Sequence, residues 1–264
     1  FNILPIGSEK VKIETGRITA ASGFISGLAV QTAIELCLAG DYDAIVTAPI
    51  SKKALNLGGY RFDGHTEMLG ALGKAKETCM MMLSGRLNMG FATTHPPLKK
   101  VAGLITRDLL KRKLSVCYDS LRKDLLVKKP LVGVLGLNPH AGDSGLIGDE
   151  ESRVISPAIR LLNAKYGNDK FNGPFSPDAY FASKAYRKFD MTFAMYHDQG
   201  FIPFKMLAGH YGTNFTAGLS FVRTSPDHGT AFDIAGKNKA SEASLSEAIK
   251  WADRIFKNRV KNRH

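Results

Sequence analysis

Apolar positions along the chain fall into two kinds of segment that alternate. Some are short continuous runs bounded by turn formers; others are longer stretches with apolar residues three and four apart. The first kind reads as buried strands and the second as amphipathic helices. Over residues 25–38, Ile25, Ala29, Ala33, Leu36 and Cys37 mark one helical face, and Gly40 offers a stop. Residues 44–48 follow as a short strand closed by Pro49. Three further strand candidates are 89–94, 131–137 and 191–196. Helices are expected over 107–121, 150–165 and 245–256. Pro157 interrupts the second unless the helix starts near it. Ser244-Leu245-Ser246-Glu247 has the spacing of a capping box for the third. Strands alternating with helices argue for an α/β fold on a mainly parallel sheet.

Composition narrows the class. A chain of 264 residues that is 44% apolar can bury one large core or two modest ones. No continuous apolar run of about 18 residues stands out, so no membrane span is expected. The opening FNILPIGSEK lacks a basic stretch followed by a long apolar one, so no signal peptide is expected either. Cys37, Cys79 and Cys117 are odd in number and widely spaced, which suits reduced thiols in a cytoplasmic protein. The formal charge is +12, but Lys and Arg are scattered, with no basic block interleaved with aromatics. We read this as a solvated surface favourable to phosphorylated anions. A nucleic-acid-binding module is the distant alternative, and it would bind with steep salt dependence.

Three of the seven histidines share a position. His95, His140 and His197 each lie just past a strand candidate. In open α/β sheets the carboxyl ends of strands line the ligand crevice. Three imidazoles from separate loops could converge on one borderline metal ion and leave positions open for substrate oxygens. Ordinary polar loop residues are the alternative, and a three-histidine metal hydrolase is another use of the same set. His65, within Asp63-Gly64-His65-Thr66-Glu67, suits an anion site or a helix N-terminus capped by Thr66 or Asp63. Lys205, Asn214 and Arg223 could supply two cations and an amide for a phosphate or carboxylate, although each taken alone reads as a surface residue. Residues 227–236 are rich in small residues and turn formers, as a loop approached by a ligand would be. The dinucleotide fingerprint GxGxxG is absent after any strand.

Several strings occur in order: Val46-Thr47-Ala48-Pro49-Ile50 with Lys52, Gly64-His65-Thr66-Glu67, Thr94-His95, Gly136-Leu137-Asn138-Pro139-His140-Ala141-Gly142, Tyr196-His197-Asp198-Gln199-Gly200, and Arg223-Thr224-Ser225 through Gly236. Together they resemble the 4-hydroxythreonine-4-phosphate dehydrogenase family of vitamin B6 biosynthesis over nearly the whole chain. The resemblance implies a two-domain α/β/α subunit like isocitrate and isopropylmalate dehydrogenases, with a central domain at 95–225 and a discontinuous second domain from 1–94 and 226–264. It implies metal binding by His95, His140 and His197, with zinc, magnesium or cobalt. Substrate binding would fall to His65, Thr66, Lys205, Asn214 and Arg223, NAD or NADP binding to His228, Gly229, Thr230 and Ala231, and proton transfer to Lys205, Asp198 or Lys52.

The implied reaction is oxidation of 4-phosphohydroxy-L-threonine followed by decarboxylation, in a homodimer whose active sites lie at the subunit interface. A sister dehydrogenase acting on 4-phospho-D-threonate or 4-phospho-D-erythronate would carry the same motifs. The family's usual glycine-rich opening, about 70 residues ahead of Phe1, is not in this sequence.

Overall fold

The computed structural model of the chain describes residues 2–7, 11–62, 64–85 and 87–262. Asp63, considered above as a cap, lies outside the described residues. Eight strands form one sheet: β1 (Ala44–Val46), β2 (Cys79–Leu83), β3 (Met89–Phe91), β4 (Val132–Leu135), β5 (Phe171–Phe175), β6 (Met191–Ala194), β7 (Thr213–Ala217) and β8 (Val222–Pro226). Their spatial order is β1-β8-β7-β2-β3-β6-β4-β5. The pairs β1–β8, β3–β6, β6–β4 and β4–β5 are parallel. The pairs β8–β7, β7–β2 and β2–β3 are antiparallel. The mainly parallel sheet expected from the sequence is therefore present, with an antiparallel centre that joins two parallel flanks.

Nine α-helices are described: α1 (Ala20–Ala39), α2 (Lys52–Leu57), α3 (His65–Leu72), α4 (Leu98–Leu104), α5 (Arg107–Lys123), α6 (Ser156–Tyr166), α7 (Pro177–Ala182), α8 (His197–Ala208) and α9 (Ala243–Lys261). Helices α5, α6 and α9 cover one face, where Leu114, Ile159 and Ile255 pack on Met81, Val134, Phe193 and Phe215. On the other face, Tyr180 of α7 and Phe201 and Phe204 of α8 pack on Met82, Met89 and Leu135. Val30, Ile34 and Met68 of α1 and α3 continue that layer over Ile45. The result is a three-layer α/β/α arrangement, the standard way to bury both faces of a sheet with parallel connections.

Local chemistry explains where the elements differ from expectation. α1 begins five residues before its apolar stripe because Thr19 caps it: the Thr19 hydroxyl accepts the Ser22 N–H at 3.1 Å. Gly40 ends it with φ 87°. By length and composition alone α1 could cross a membrane, a point the sequence pattern did not raise. α9 begins at Ala243, and the capping box does not form. Ser244 is inside the helix, and its hydroxyl instead accepts the Asp227 N–H at 3.0 Å. α6 begins at Ser156, with Pro157 in its first turn, after a π-helical turn at Glu151–Ile155. Cys79 and Cys117 are buried free thiols as expected, whereas Cys37 is only half-buried.

α1 approaches α2 closely enough that a Cβ on Gly23 would collide with the Ala54 carbonyl. Gly23→Ala is expected to cost about 2 kcal/mol or more, because backbone rather than a flexible side chain must move. Chemical denaturation would show this as a lower midpoint; an unchanged midpoint would mean that the two helices separate freely.

Candidate functional site

The parallel pair β3–β6 sets the first part of the site. Met89 pairs with Thr192 and Phe91 with Ala194, and the pairing continues beyond both strands. The Ala92 N–H reaches the Ala194 carbonyl at 2.9 Å and the Thr93 N–H reaches that of Met195 at 3.2 Å. The two segments thus leave the sheet at one level. His95 and His197 emerge with ring centroids 5.9 Å apart. His197 is not a loop residue, as the sequence suggested, but the first residue of α8. Its ring stacks on Phe201 at 4.0 Å and 11°. Its Nδ1 lies 2.7 Å from Asp198 Oδ1. An Nδ1–H donated to that carboxylate leaves Nε2 with its lone pair, the form of imidazole that ligates metals. Lys52, Thr93, Thr94 and Tyr196 join His95, His197 and Asp198 around a cavity of about 480 Å³.

His140 follows β4, the next strand, in a turn of unusual conformation. His140, Ala141, Asp143 and Ser144 have φ of 51°, 52°, 42° and 57°. Each such non-glycine residue costs about 1–2 kcal/mol, so the surroundings must hold the turn. His140 lines an adjoining cavity of about 550 Å³ that shares Tyr196 and Asp198 with the first. Among the described residues no three His, Cys, Asp or Glu side chains gather at one point. The structure therefore brings His95 and His197 together and leaves His140 one strand away. The donor types, two imidazoles with one oriented by a carboxylate, fit a borderline divalent cation.

α8 carries the site along its length. His197, Phe201 and Lys205 are four residues apart and share a helix face. Lys205 Nζ lies 6.0 Å from the Phe201 ring centre and 3.2 Å from the Asp227 carbonyl. It also pairs with Asp227 Oδ1 at 3.4 Å. Burial raises the Asp227 pKa, partly offset by the charges of Lys205, His228 and His197. The loop expected to meet a dinucleotide starts here. His228, Gly229 and Ala231 are exposed and Thr230 half-buried, while His228 Nδ1 contacts the Gly229 carbonyl at 2.9 Å and Ala231 has φ 48°. Small, exposed residues leave a ligand free to approach this backbone.

The last part is built on the sheet face. Asn214 opposes Ser225, and Phe215 opposes Thr224, so Asn214, Thr216, Arg223 and Ser225 share one side. Arg223 is only 2% exposed. Its Nη1 donates to Thr216 Oγ1 at 3.0 Å and its Nη2 to Thr47 Oγ1 at 2.8 Å. Its Nε is buried without a partner. Among the described residues it bonds no carboxylate, although the charge of Glu67 lies near. Burial lowers its pKa to about 10, which still leaves it charged at neutral pH.

His65 opens α3, and its Nε2 is likewise buried without a partner. Burial, and then the charge of Arg223, lower its pKa to about 3, so the ring is neutral. Gly64 gives α3 no side-chain cap. Asn214 Oδ1 is also buried and unpaired, while its Nδ2 meets Met80 Sδ at 3.7 Å. Buried orphan polar atoms are costly; here one opens a helix and lies within reach of the Arg223 charge, and another shares the Arg223 side of the sheet, a donor set suited to an anion. Thr66 lines a cavity of about 660 Å³ that reaches Thr93 and Thr94 at the rim of the imidazole pair.

Sequence reasoning gave no role to Thr47 and Thr216, which hold Arg223, or to Asp227, which holds Lys205. The alternation of polar and apolar residues through 214–217 was the available signal for Thr216.

The depressed His65 pKa has a pH consequence. Below the unfolded-state value of about 6.5, the unfolded chain takes up a proton that native His65 refuses. Stability is therefore expected to fall as pH drops from about 6.5 towards 3, by up to about 1.4 kcal/mol per pH unit from this residue. Urea unfolding of the protein and of His65→Gln across this range checks it; equal slopes would contradict it.

Residues 1–252 match the family described as pyridoxal phosphate biosynthetic protein PdxA. The 4-hydroxythreonine-4-phosphate dehydrogenase of Prosthecochloris aestuarii is 43% identical over 98% of this chain and 76% of its own. The D-threonate 4-phosphate dehydrogenase of Salmonella typhimurium is 42% identical over 91% of this chain and 72% of its own. The crystal structure of 4-hydroxythreonine-4-phosphate dehydrogenase from Klebsiella pneumoniae superimposes with a TM-score of 0.83 at 38% identity, covering 92% of this chain and 73% of that one. On sequence and fold together, the chain belongs to the pyridoxal phosphate biosynthetic protein PdxA family.

Proposed function

We propose that this chain is an NAD- and divalent-metal-dependent dehydrogenase that oxidises 4-phosphohydroxy-L-threonine, with loss of its carboxylate as carbon dioxide. The observation that carries this reading is the buried Arg223, which bonds no carboxylate among the described residues and whose charge acts on His65, a ring with its Nε2 buried and unpartnered. A dianionic phosphate satisfies both groups, and an uncharged hydroxyl in its place does not. Arg223 supplies the charge, the neutral His65 ring a directional bond, and Thr66 and Asn214 further polar contacts.

His95 and His197, with His140, would hold a divalent cation, which would supply Lewis acidity at the hydroxyl being oxidised, and bound NAD would supply the hydride acceptor. Asp198 fixes the His197 tautomer through Nδ1. Lys205 Nζ, on the same helix face and fixed by Asp227, delivers a proton to the carbon that loses its carboxylate. Lys52 lines the imidazole cavity, where its unprotonated amine would take the proton of the substrate hydroxyl. His228–Ala231 receives the cofactor. The enzyme works in the cytoplasm as a homodimer with shared active sites, and residues 95–225 act as its central domain. The second reading, 4-phospho-D-threonate as substrate, is favoured by nearly equal identity to relatives carrying the two names.

A substrate panel followed by NADH absorbance separates these readings. Turnover of the L-threonine phosphate above the D-threonate compound is expected, and the reverse order would move the protein to the second. Chelation should abolish turnover, and zinc, cobalt or magnesium should restore it; full activity after chelation would remove the cation from the reaction. Arg223→Gln should lower kcat/KM about 30-fold or more for the phosphorylated substrate, equivalent to about 2 kcal/mol, and leave a dephosphorylated analogue nearly unaffected. Equal losses for both would count against an anion receptor.

A further inference from the structure

Two residues without a role in the reaction tie together the ends of β4 and β6. Gln199, in the first turn of α8, accepts the Met195 N–H on Oε1 at 2.7 Å. Its Nε2 donates to the Gly136 carbonyl at 2.7 Å. One side chain thus joins the residues just after both strands and sets the start of α8 against the turn after β4. Glu151 holds that turn from the other side. It is 5% exposed. Its Oε1 accepts the Leu137 N–H at 2.7 Å and the Asn138 N–H at 2.8 Å. Its Oε2 accepts from Asn138 Nδ2 at 2.9 Å. Asn138 Nδ2 also donates to Glu150 Oε2 at 2.7 Å.

The turn closes tightly around this carboxylate. A Cβ on Gly136 would stand 3.0 Å from Oε1, and one on Gly142 would stand 2.8 Å from Oε2. No Lys, Arg or His among the described residues forms an ion pair with Glu151. A buried carboxylate bonded only to neutral N–H groups does little for stability compared with an apolar residue in its place. What it supplies is conformation. Four non-glycine residues with positive φ in a five-residue stretch persist only where surrounding bonds over-determine them, and Glu151 makes three bonds immediately before that stretch. The π-helical turn that Glu151 opens aims its side chain back at Asn138.

We infer that Glu151 is a positioning residue, whose buried carboxylate fixes the left-handed turn after β4 and thereby sets where the His140 imidazole stands relative to His95 and His197. The link to the imidazole rests on the reading of His140 as a metal ligand; the control of the turn does not.

The test uses the full chain. Glu151→Gln keeps the size but turns one acceptor oxygen into an NH₂ that meets the Asn138 donor. Asn138→Ala removes the Glu151 Oε2 bond together with the Asn138–Glu150 bond, leaves both Oε1 bonds in place, and serves if the first variant does not fold. Hydrogen exchange is followed in peptides covering 136–148, with β2 and β7 as internal references. Exchange in 136–148 should rise about tenfold or more while the references hold, as expected for loss of a local tether. Cobalt affinity, titrated by its visible absorption, should weaken about 10- to 100-fold, the usual effect of losing an outer-shell partner.

Exchange equal to that of the parent in both variants would overturn the role of Glu151. Faster exchange with unchanged cobalt affinity in Glu151→Gln, while His140→Ala loses the metal, would overturn the link from turn to imidazole. Full cobalt affinity in His140→Ala would instead remove His140 from the ligand set, and the exchange result would still decide the role of Glu151.

Discussion

A guanidinium fixed inside a β-sheet is the constraint around which this molecule is organised. Burying Arg223 is expensive unless its five donors are satisfied, and the sheet satisfies only some of them, through Thr216 and Thr47. Those hydroxyls come from β7 and from the segment after β1, the neighbours of β8 on either side. The strand order that brings β1 and β7 to flank β8 is thus also what makes this cation tolerable. Helix α3 begins at His65, with no side-chain cap among the described residues, and the Arg223 charge acts on that ring. The remaining unsatisfied atoms point to a ligand, because a fold that wanted only stability would have put an apolar residue there.

The second flank of the sheet solves a different problem. Three parallel strands lying side by side, β3, β6 and β4, deliver their following residues to one end. Imidazoles placed just after such strands are separated by strand spacing rather than by sequence distance, so residues about a hundred positions apart can share a cavity. His95 and His197 come from neighbouring strands and meet; His140 comes from the strand beyond and stands in the next cavity. α8 connects the two flanks, since its first residue is one of the imidazoles and its last turn carries Lys205 to Asp227, just past β8.

How much of this was legible in the sequence follows from what each segment must bury. β1, β4 and β6 are covered on both faces or nearly so, and continuous apolar runs revealed them. β7 and β8 escaped notice because they place polar residues on the face that holds Arg223, which breaks the apolar run without breaking the strand. β2 is largely methionine, a residue with little strand preference, and β5 carries Gly173 and Pro174 at the sheet edge. α8 was hidden by Gly200 and Pro203, and so His197 was read as a loop residue. Position after a strand was enough to single out the three histidines. Arg223 and His65 were legible as candidates, but their burial and their missing partners were not, because both depend on contacts between distant segments. Ser244 shows the limit of local patterns: its capping spacing was real, yet a backbone N–H from Asp227 claimed the hydroxyl.

The most direct measurement is diffraction from crystals of the protein grown with the phosphorylated substrate. The account predicts the phosphate within hydrogen-bond distance of both Arg223 Nε and His65 Nε2, with the other end of the substrate directed at His95 and His197. A phosphate seated elsewhere, with the guanidinium turned to the Glu67 carboxylate, would contradict it.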